Sequence, residues 1–411
     1  MNKELIGKYC LYLWLLVWPW QTKLILRPND SNYLEISFFA AWLLLIIPLI
    51  VWGKKIFLEN YSFKTGEKKA YWCWSLFILE ATILFSIVAA SDRLLSLFHY
   101  FIFVLGLSIF YLFIKKEITP IKESINIFII SLITPALLGL WQFFSQKTFA
   151  CKWLGVASHS ASTLGSAVIE TSGVRYLRAY GSFDHPNILG GVMVIGLLII
   201  LYYSFKRELT RKNRIFYLLS FAVFYSTLLV SFSRSALLAF FITAPLLFIK
   251  FKKTAKSLLI FYSSLVIFIS LVIIIPNRDL FLVRSTATGR LEQKSLTERA
   301  TYLEQAWSLI KIKPLQGVGA GNYILALPDS NQYSQPVHNY WLLLWAEVGI
   351  FGLLSALIFW FYLLTISYSK NLHPIIIALF IFSLFDHWLL SSALGLLLFF
   401  FISALIIQQD T

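Results

Sequence analysis

Four short stretches of this chain carry residues able to do chemistry. RYLRAYGSFDHPNILGG, Arg175 to Gly191, holds Arg178 and runs into Asp184-His185-Pro186-Asn187. LVSFSRSALLAF, Leu229 to Phe240, sets Arg234 between two serines. KSLTERATYLEQAWSLIKIKPLQGVGAGNY, Lys294 to Tyr323, carries Arg299 and Glu304. PVHNYWLLLWAEVGIFG, Pro336 to Gly352, places His338 and Asn339 at the mouth of a long apolar run. Histidine titrates near neutral pH and suits acid–base work. Arginine offers a planar fork of donors that matches phosphate oxygens. A histidine and several arginines at helix starts, where the positive dipole ends point outward, make a pattern for handling a proton beside a bound diphosphate. Plainer readings stand beside this one. Asp184 to Asn187 reads as a capped helix start, and Arg234 as an interfacial arginine reaching for water. GVGAGN lacks the lysine of a phosphate-binding loop.

The elements that must position these residues follow from composition. The chain has 411 residues, 58% hydrophobic and 13% charged, with a mean hydropathy of +0.74. A soluble domain carries about 25% charged residues. Apolar runs recur along the chain, many of them reaching the roughly 20 residues that cross a bilayer as a helix. The expected fold is an all-α polytopic membrane protein of about 12 transmembrane helices. The spans fall near 9–26, 33–52, 70–90, 94–114, 125–145, 186–204, 215–232, 233–250, 257–276, 339–367, 373–390 and 392–408. Strands of a membrane barrel would be shorter and would alternate polar with apolar, which these runs do not. The net charge of +15 marks cytoplasmic loops rather than a nucleic-acid partner. Cys10, Cys73 and Cys151 form no disulfide or metal pattern. The N-terminus has the charge of a signal peptide but no small-residue cleavage site, and reads as a retained first helix.

Basic residues set the topology. With the N-terminus inside, Lys54, Lys55, Lys64, Lys68 and Lys69, then Lys115, Lys116 and Lys122, then Lys206, Arg207, Arg211, Lys212 and Arg214, then Lys250, Lys252, Lys253 and Lys256, and Lys370 all lie inside. Both termini are then cytoplasmic, and two long loops, about 146–185 and 277–338, lie outside. Residues 1–411 read as a single membrane domain without internal repeats. The loop at 277–338 holds an amphipathic helix. Ser295 and Glu298 have capping-box spacing, and Leu303, Ala306, Trp307 and Ile310 share one face. Pro314 and the glycines end it. The tenth span is long and invites a break near Gly349 and Gly352. Spans six, eight and ten all begin outside, so Asp184–Asn187, Arg234 and His338–Asn339 converge on one surface. Glu80, Glu347 and the pair Asp386-His387 read as structural hydrogen-bonding groups. His185 is a second candidate proton handler; His99, His159 and His373 receive no role.

These residues resemble a known family. RAYGSFDHPNILG, FSRSAL, the segment from Arg299 to Tyr323 ending IKPLQGVGAGNY, VHNYWLLLWAEVGIFG and the final LFDHWLLSSALGLLLFF together are similar to the O-antigen ligase family, which shares a domain with the Wzy-type O-antigen polymerases. In order and spacing the resemblance covers residues 175–405. It implies a GT-C-like, metal-independent glycosyltransferase without a cofactor. Such an enzyme takes a glycan from undecaprenyl diphosphate at the outer face of the bacterial inner membrane. The acceptor is a hydroxyl of lipid A-core, of another glycan or of a protein. Ligation is the leading reading, with polymerisation and protein O-glycosylation as alternatives. By this match His338 is the base, and Arg234 and Arg299 hold the diphosphate; Arg178, in a matching motif, is a further diphosphate-binding candidate. Asn187, Asn339 and His185 support them. The implied metal site is none, in agreement with the lack of an Asp-x-Asp pattern and of paired acids in TKLILRPNDSN. The run PDSNQYSQPV before His338 departs from the family pattern and points to acceptor choice. A transporter of the same lipid-linked glycans is the competing class. It would need charges through mid-membrane and paired helix breaks.

Overall fold

The computed structural model describes residues 3–60, 70–206, 209–252, 255–286, 289–328 and 335–408. Helix α1 (Lys3–Val17) stops just before Pro19, which cannot continue a helix. The chain then forms a hairpin, β1 (Lys23–Arg27) with β2 (Ile36–Phe39), registered Lys23 to Phe39. An Asx turn, Ser31 N–H to Asn29 Oδ1 at 2.9 Å, helps reverse it. The spans expected at 9–26 and 33–52 are therefore corrected: the hairpin takes the end of the first and the start of the second.

Helices α2 (Leu43–Asn60), α3 (Ala70–Ser86), α4 (Arg93–Ile114) and α5 (Ile121–Ser145) follow. A second hairpin, β3 (Val168–Thr171) and β4 (Val174–Leu177), turns through Ser172 and Gly173, both at positive φ as a tight hairpin turn requires. Next come α6 (Pro186–Lys206), α7 (Arg211–Ser231), α8 (Arg234–Phe251) and α9 (Lys256–Ile274). Two polar helices, α10 (Arg278–Thr286) and α11 (Arg290–Ile312), precede α12 (Tyr340–Ser369), α13 (His373–Phe385), α14 (Trp388–Ser391) and α15 (Ala393–Gln408). Among the described residues eight helices are long and apolar enough to cross a membrane, while the apolar parts of α2, α13 and α15 are shorter. The chain is an all-α polytopic membrane protein.

Helix α6 is apolar on every side, and Pro186 to Phe205 are buried without exception, which makes it the centre of the bundle. It packs on α5, α7, α8 and α13. Small residues let helices close up: a Cβ on Gly106 of α4 would lie 2.4 Å from the ring of Phe400 on α15. Helix α9 is the opposite case, exposing Ile260, Phe261, Ile267 and Phe268 as a lipid-facing surface would. The two ends of the bundle differ chemically. At one end the Lys370 ammonium donates to the Ile407 carbonyl at 3.0 Å and so caps α15, and Gln408 Nε2 donates to the Thr119 carbonyl at 2.6 Å. The arginines and histidines singled out above gather at the other.

Helix α11 differs from its expected form. It begins at Arg290 with Gly289 as N-cap, so Ser295 and Glu298 lie in its interior and form no capping box. Its buried row is Ala306, Leu309 and Ile310, while Leu303 and Trp307 are exposed on the flank. Helix α12 breaks at Gly349, which adopts φ 81°, whereas Gly352 remains helical. The break frees the carbonyls of Ala346 and Glu347. Val318 and Gly319 donate their N–H groups to them at 2.9 Å each, and Ile350 N–H donates to the Pro314 carbonyl at 2.9 Å. The glycine-rich loop is thus plugged into the broken helix by backbone hydrogen bonds, with the Glu347 carboxylate accepting from the Tyr33 hydroxyl alongside.

Cys10, Cys73 and Cys151 are free. The expectations for Lys64, Lys68, Lys69, Arg207 and Lys253, and for residues 329–334 of the run before His338, lie outside the described residues.

Candidate active site

The site begins with a turn. Helix α7 ends at Ser231, Phe232 takes a left-handed conformation, Ser233 caps α8, and Arg234 is the first residue of that helix. A helix ending leaves carbonyls without intrahelical partners. Two arginines take them: Arg178 Nε donates to the Ser231 carbonyl at 2.9 Å, and Arg284 Nε to the Phe232 carbonyl at 3.1 Å. Arg178 reaches this position because β4 delivers it there. The following turn at Tyr180 and Gly181 is held by the Gln142 side chain, which accepts from both backbone N–H groups at 3.0 and 2.7 Å. Glycines allow the elements to meet. A Cβ on Gly190 would come within 2.9 Å of Ser233, and one on Gly191 within 2.7 Å of Trp388.

From Arg178 a chain of hydrogen bonds crosses the site. Its Nη2 donates to Asn187 Oδ1 at 2.8 Å, and Asn187 Nδ2 donates to Asp386 Oδ2 at 2.9 Å. The other carboxylate oxygen of Asp386 accepts from the His387 backbone N–H at 2.8 Å and faces His338 Nδ1 at 3.6 Å. That His338 nitrogen is buried and has no hydrogen-bond partner among the described residues. The His338 and His387 rings stand 5.1 Å apart, and Tyr302 of α11 lies 6.1 Å from His338. His387 Nδ1 is bonded to Ser391 Oγ at 2.6 Å.

A second group surrounds Glu292 in the first turn of α11. Both its oxygens accept from Arg284 Nη1, at 2.5 and 2.6 Å, and Arg234 Nη2 lies 3.4 Å away. Arg299, half-buried on α11, sits near enough to act on both Arg234 and His387. The arginines 178, 234, 284 and 299 thus share one region with the carboxylates of Glu292 and Asp386, and the balance is positive. Burial, then the charge of Arg284, hold the Arg178 guanidinium well below its usual range. Burial opposes ionisation of Asp386, but His338, His387 and His185 outweigh it and keep the carboxyl well below the ordinary value. His338, Asp386 and His387 also offer three ligand atoms within 4.8 Å of one another, a set with metal-binding composition. The surplus of guanidinium charge works against a cation there and favours an anion.

Of the expected residues, Arg178, Asn187, Arg234, Arg299 and His338 come together. Asn339 is the N-cap of α12, its Oδ1 accepting from the N–H groups of Trp341 and Leu342 at 3.0 Å each. His185 uses Nδ1 to accept from the Asn187 N–H at 3.1 Å and so caps the start of α6. Arg284 and Glu292 were not singled out by sequence reasoning, and no local pattern marks them. Asp386 was read as a structural hydrogen-bonding group. An Asp-His pair inside an otherwise apolar terminal run was the signal that could have placed it here.

These groups have a measurable consequence for stability. Burial, then the nearby His338, push His387 down to about 4; burial, then Arg178, push His185 down to about 3. Below its ordinary value of 6.5 an unfolded histidine takes up a proton that these folded ones refuse. The unfolded state then binds more protons, so stability falls as pH drops through the window from 6.5 towards about 4. The thermal midpoint of the purified protein should decline across that window. The decline should be shallower in a His185→Gln, His387→Gln double variant. A midpoint equal at pH 7 and 4.5 would contradict the neutral, buried state of both rings.

Residues 218–357 match the family model described as O-antigen ligase, a segment that includes Arg234, Arg284, Glu292, Arg299 and His338. None of the curated proteins gives a significant match to the chain.

Proposed function

From the O-antigen ligase domain that residues 218–357 carry, we propose that this protein transfers a glycan from undecaprenyl diphosphate to an acceptor hydroxyl at the outer face of the bacterial inner membrane, with both termini cytoplasmic. The observation that carries the reading is the placement of His338 against Asp386 beside a cluster of arginines. In the proposed step His338 takes the proton of the acceptor hydroxyl. With Nδ1 turned to Asp386, Nε2 is the nitrogen left to receive it, and Asp386 stabilises the charged ring. The acceptor oxygen attacks the anomeric carbon, and the bond to the diphosphate oxygen breaks with its electron pair. Arg234 and Arg299 neutralise the charge that grows on the leaving group, supplying the preorganised electrostatics that dominate such reactions. Direct displacement inverts the anomeric centre. Arg178 has its Nε and one Nη committed to Ser231 and Asn187. Its part is to fix the turn before Arg234 and to orient Asn187 against Asp386.

The mechanism asks nothing of a metal, although the His338, Asp386 and His387 set makes a chelator control necessary. The test is release of undecaprenyl diphosphate by the protein in nanodiscs, given lipid-linked glycan and candidate acceptors, with and without EDTA. Release that persists in EDTA supports the reading. The mass of the product separates ligation to lipid A-core, the leading case, from polymerisation and protein O-glycosylation. No release with any acceptor would overturn it and favour transport of the lipid-linked glycan.

A further inference from the structure

Glu292 stands out among its neighbours. Gln293, Lys294 and Leu296 on the same helix are exposed, while Glu292 is 3% exposed. Helix α11 has no side-chain cap at Gly289, and the Glu292 carboxylate sits in its first turn, at the positive end of the dipole. A buried carboxylate needs partners, and among the described residues it has two of unequal quality. Arg284 grips both oxygens at 2.5 and 2.6 Å, while Arg234 hovers at 3.4 Å, paired in charge without a short hydrogen bond. Arg178 lies buried close behind and feels the charges of all three. Among the described residues, two guanidiniums thus contact this one carboxylate and a third lies close enough to feel its charge. What remains unneutralised is the charge that a doubly ionised diphosphate diester brings, with more oxygens than a carboxylate can offer.

We infer that the Glu292 carboxylate occupies the diphosphate subsite when the donor is absent, and that donor binding displaces it from Arg234. Arg284 then becomes a further diphosphate-binding residue. The inference rests on the function proposed above and adds to it an internal competitor. Glutamate has the rotatable bonds to withdraw from Arg234 without movement of α11. The exchange is of one anion for another at the same arginines, so no buried guanidinium is left unpaired at any stage. Its consequence is selectivity: a monoanion gains little over Glu292, whereas a diphosphate gains charge as well as contacts.

The test uses the full chain in nanodiscs, with geranyl diphosphate and inorganic pyrophosphate as probes in titration calorimetry. Glu292→Gln keeps the shape and removes the competing charge. Binding of both probes should tighten about tenfold, the effect of relieving one charge-assisted contact. In the same background Arg284→Gln should weaken binding by about tenfold or more. Unchanged or weaker binding by Glu292→Gln, at a thermal midpoint near that of the unsubstituted protein, would overturn the inference and leave Glu292 as a structural ion pair. Where Glu292→Gln lowers the midpoint, Glu292→Asp decides instead: its shorter carboxylate retreats from Arg234, so tighter binding supports the inference and weaker binding overturns it. If the unsubstituted protein binds neither probe, the proposed function and the inference fall together. If it binds them and the variants do not tighten, the inference alone falls.

Discussion

His338→Ala should lower release of undecaprenyl diphosphate by about 10²- to 10⁴-fold, the range contributed by a positioned general base. The loss should fall on kcat, with little change in donor binding, because the arginines around the proposed diphosphate site are held by partners other than His338. Arg284 is fixed by the Phe232 carbonyl and Glu292, and Arg178 by the Ser231 carbonyl and Asn187. The thermal midpoint should change little, since the His338 side chain is 21% exposed and its polar contact to Asp386 is long, at 3.6 Å. Asp386→Asn offers a graded companion. It preserves the shape of the contact to Asn187 but removes the charge opposite His338, so activity should fall while the fold survives. Undiminished turnover by His338→Ala would remove this residue from the chemistry.

Gly349→Ala is expected to be strongly damaging to the fold. The glycine adopts φ 81°, a left-handed conformation that strains an L-residue by about 1–3 kcal/mol. An added Cβ would also lie 2.0 Å from the Leu315 carbonyl oxygen. Relief of that clash means expelling the 314–319 loop, and with it the hydrogen bonds to Ala346, Glu347 and Ile350. The combined destabilisation should reach about 3 kcal/mol or more. The measurement is the thermal midpoint of the purified protein, which should fall by roughly 5 °C or more. Gly352→Ala is the control. Gly352 is helical, its nearest obstacle is a methyl of Val348 on its own helix, and the effect should be smaller. Equal effects at the two positions would contradict the role given to the break.

Much of this was legible in the chain because membranes simplify the code. Long apolar runs had to be helices, and Arg234 and His338 were conspicuous as polar residues at their mouths. The break at Gly349 was visible as a glycine in an overlong span. The parts that escaped depend on distant partners. Nothing near Glu292 in the sequence shows that Arg284 and Arg234 will close on it. Asp386 looked like one buried polar group among several, because its partners lie far off in the chain, Asn187 in α6 and His338 just before α12. The first two spans were misplaced for a local reason: Ile36 to Phe39 is as apolar as a helix, and only pairing with Lys23 to Arg27 makes it a strand. In α11 the capping-box spacing at Ser295 and Glu298 was real but idle, since the helix starts a turn and a half earlier.

The hydrogen bond from Asn187 to Asp386 joins residues 199 apart in sequence. A ribosome delivers α6 to the membrane long before α13 and α14 exist. During that interval Arg178 and Asn187 are in place with no carboxylate to meet, and His338 arrives later still without its acidic neighbour. The segment that carries Asp386 therefore completes the cluster. A chain truncated ahead of Phe385 lacks the carboxylate that Asn187 and His338 face. Supplying the segment from Phe385 onward as a separate polypeptide becomes a way to control when the cluster is completed.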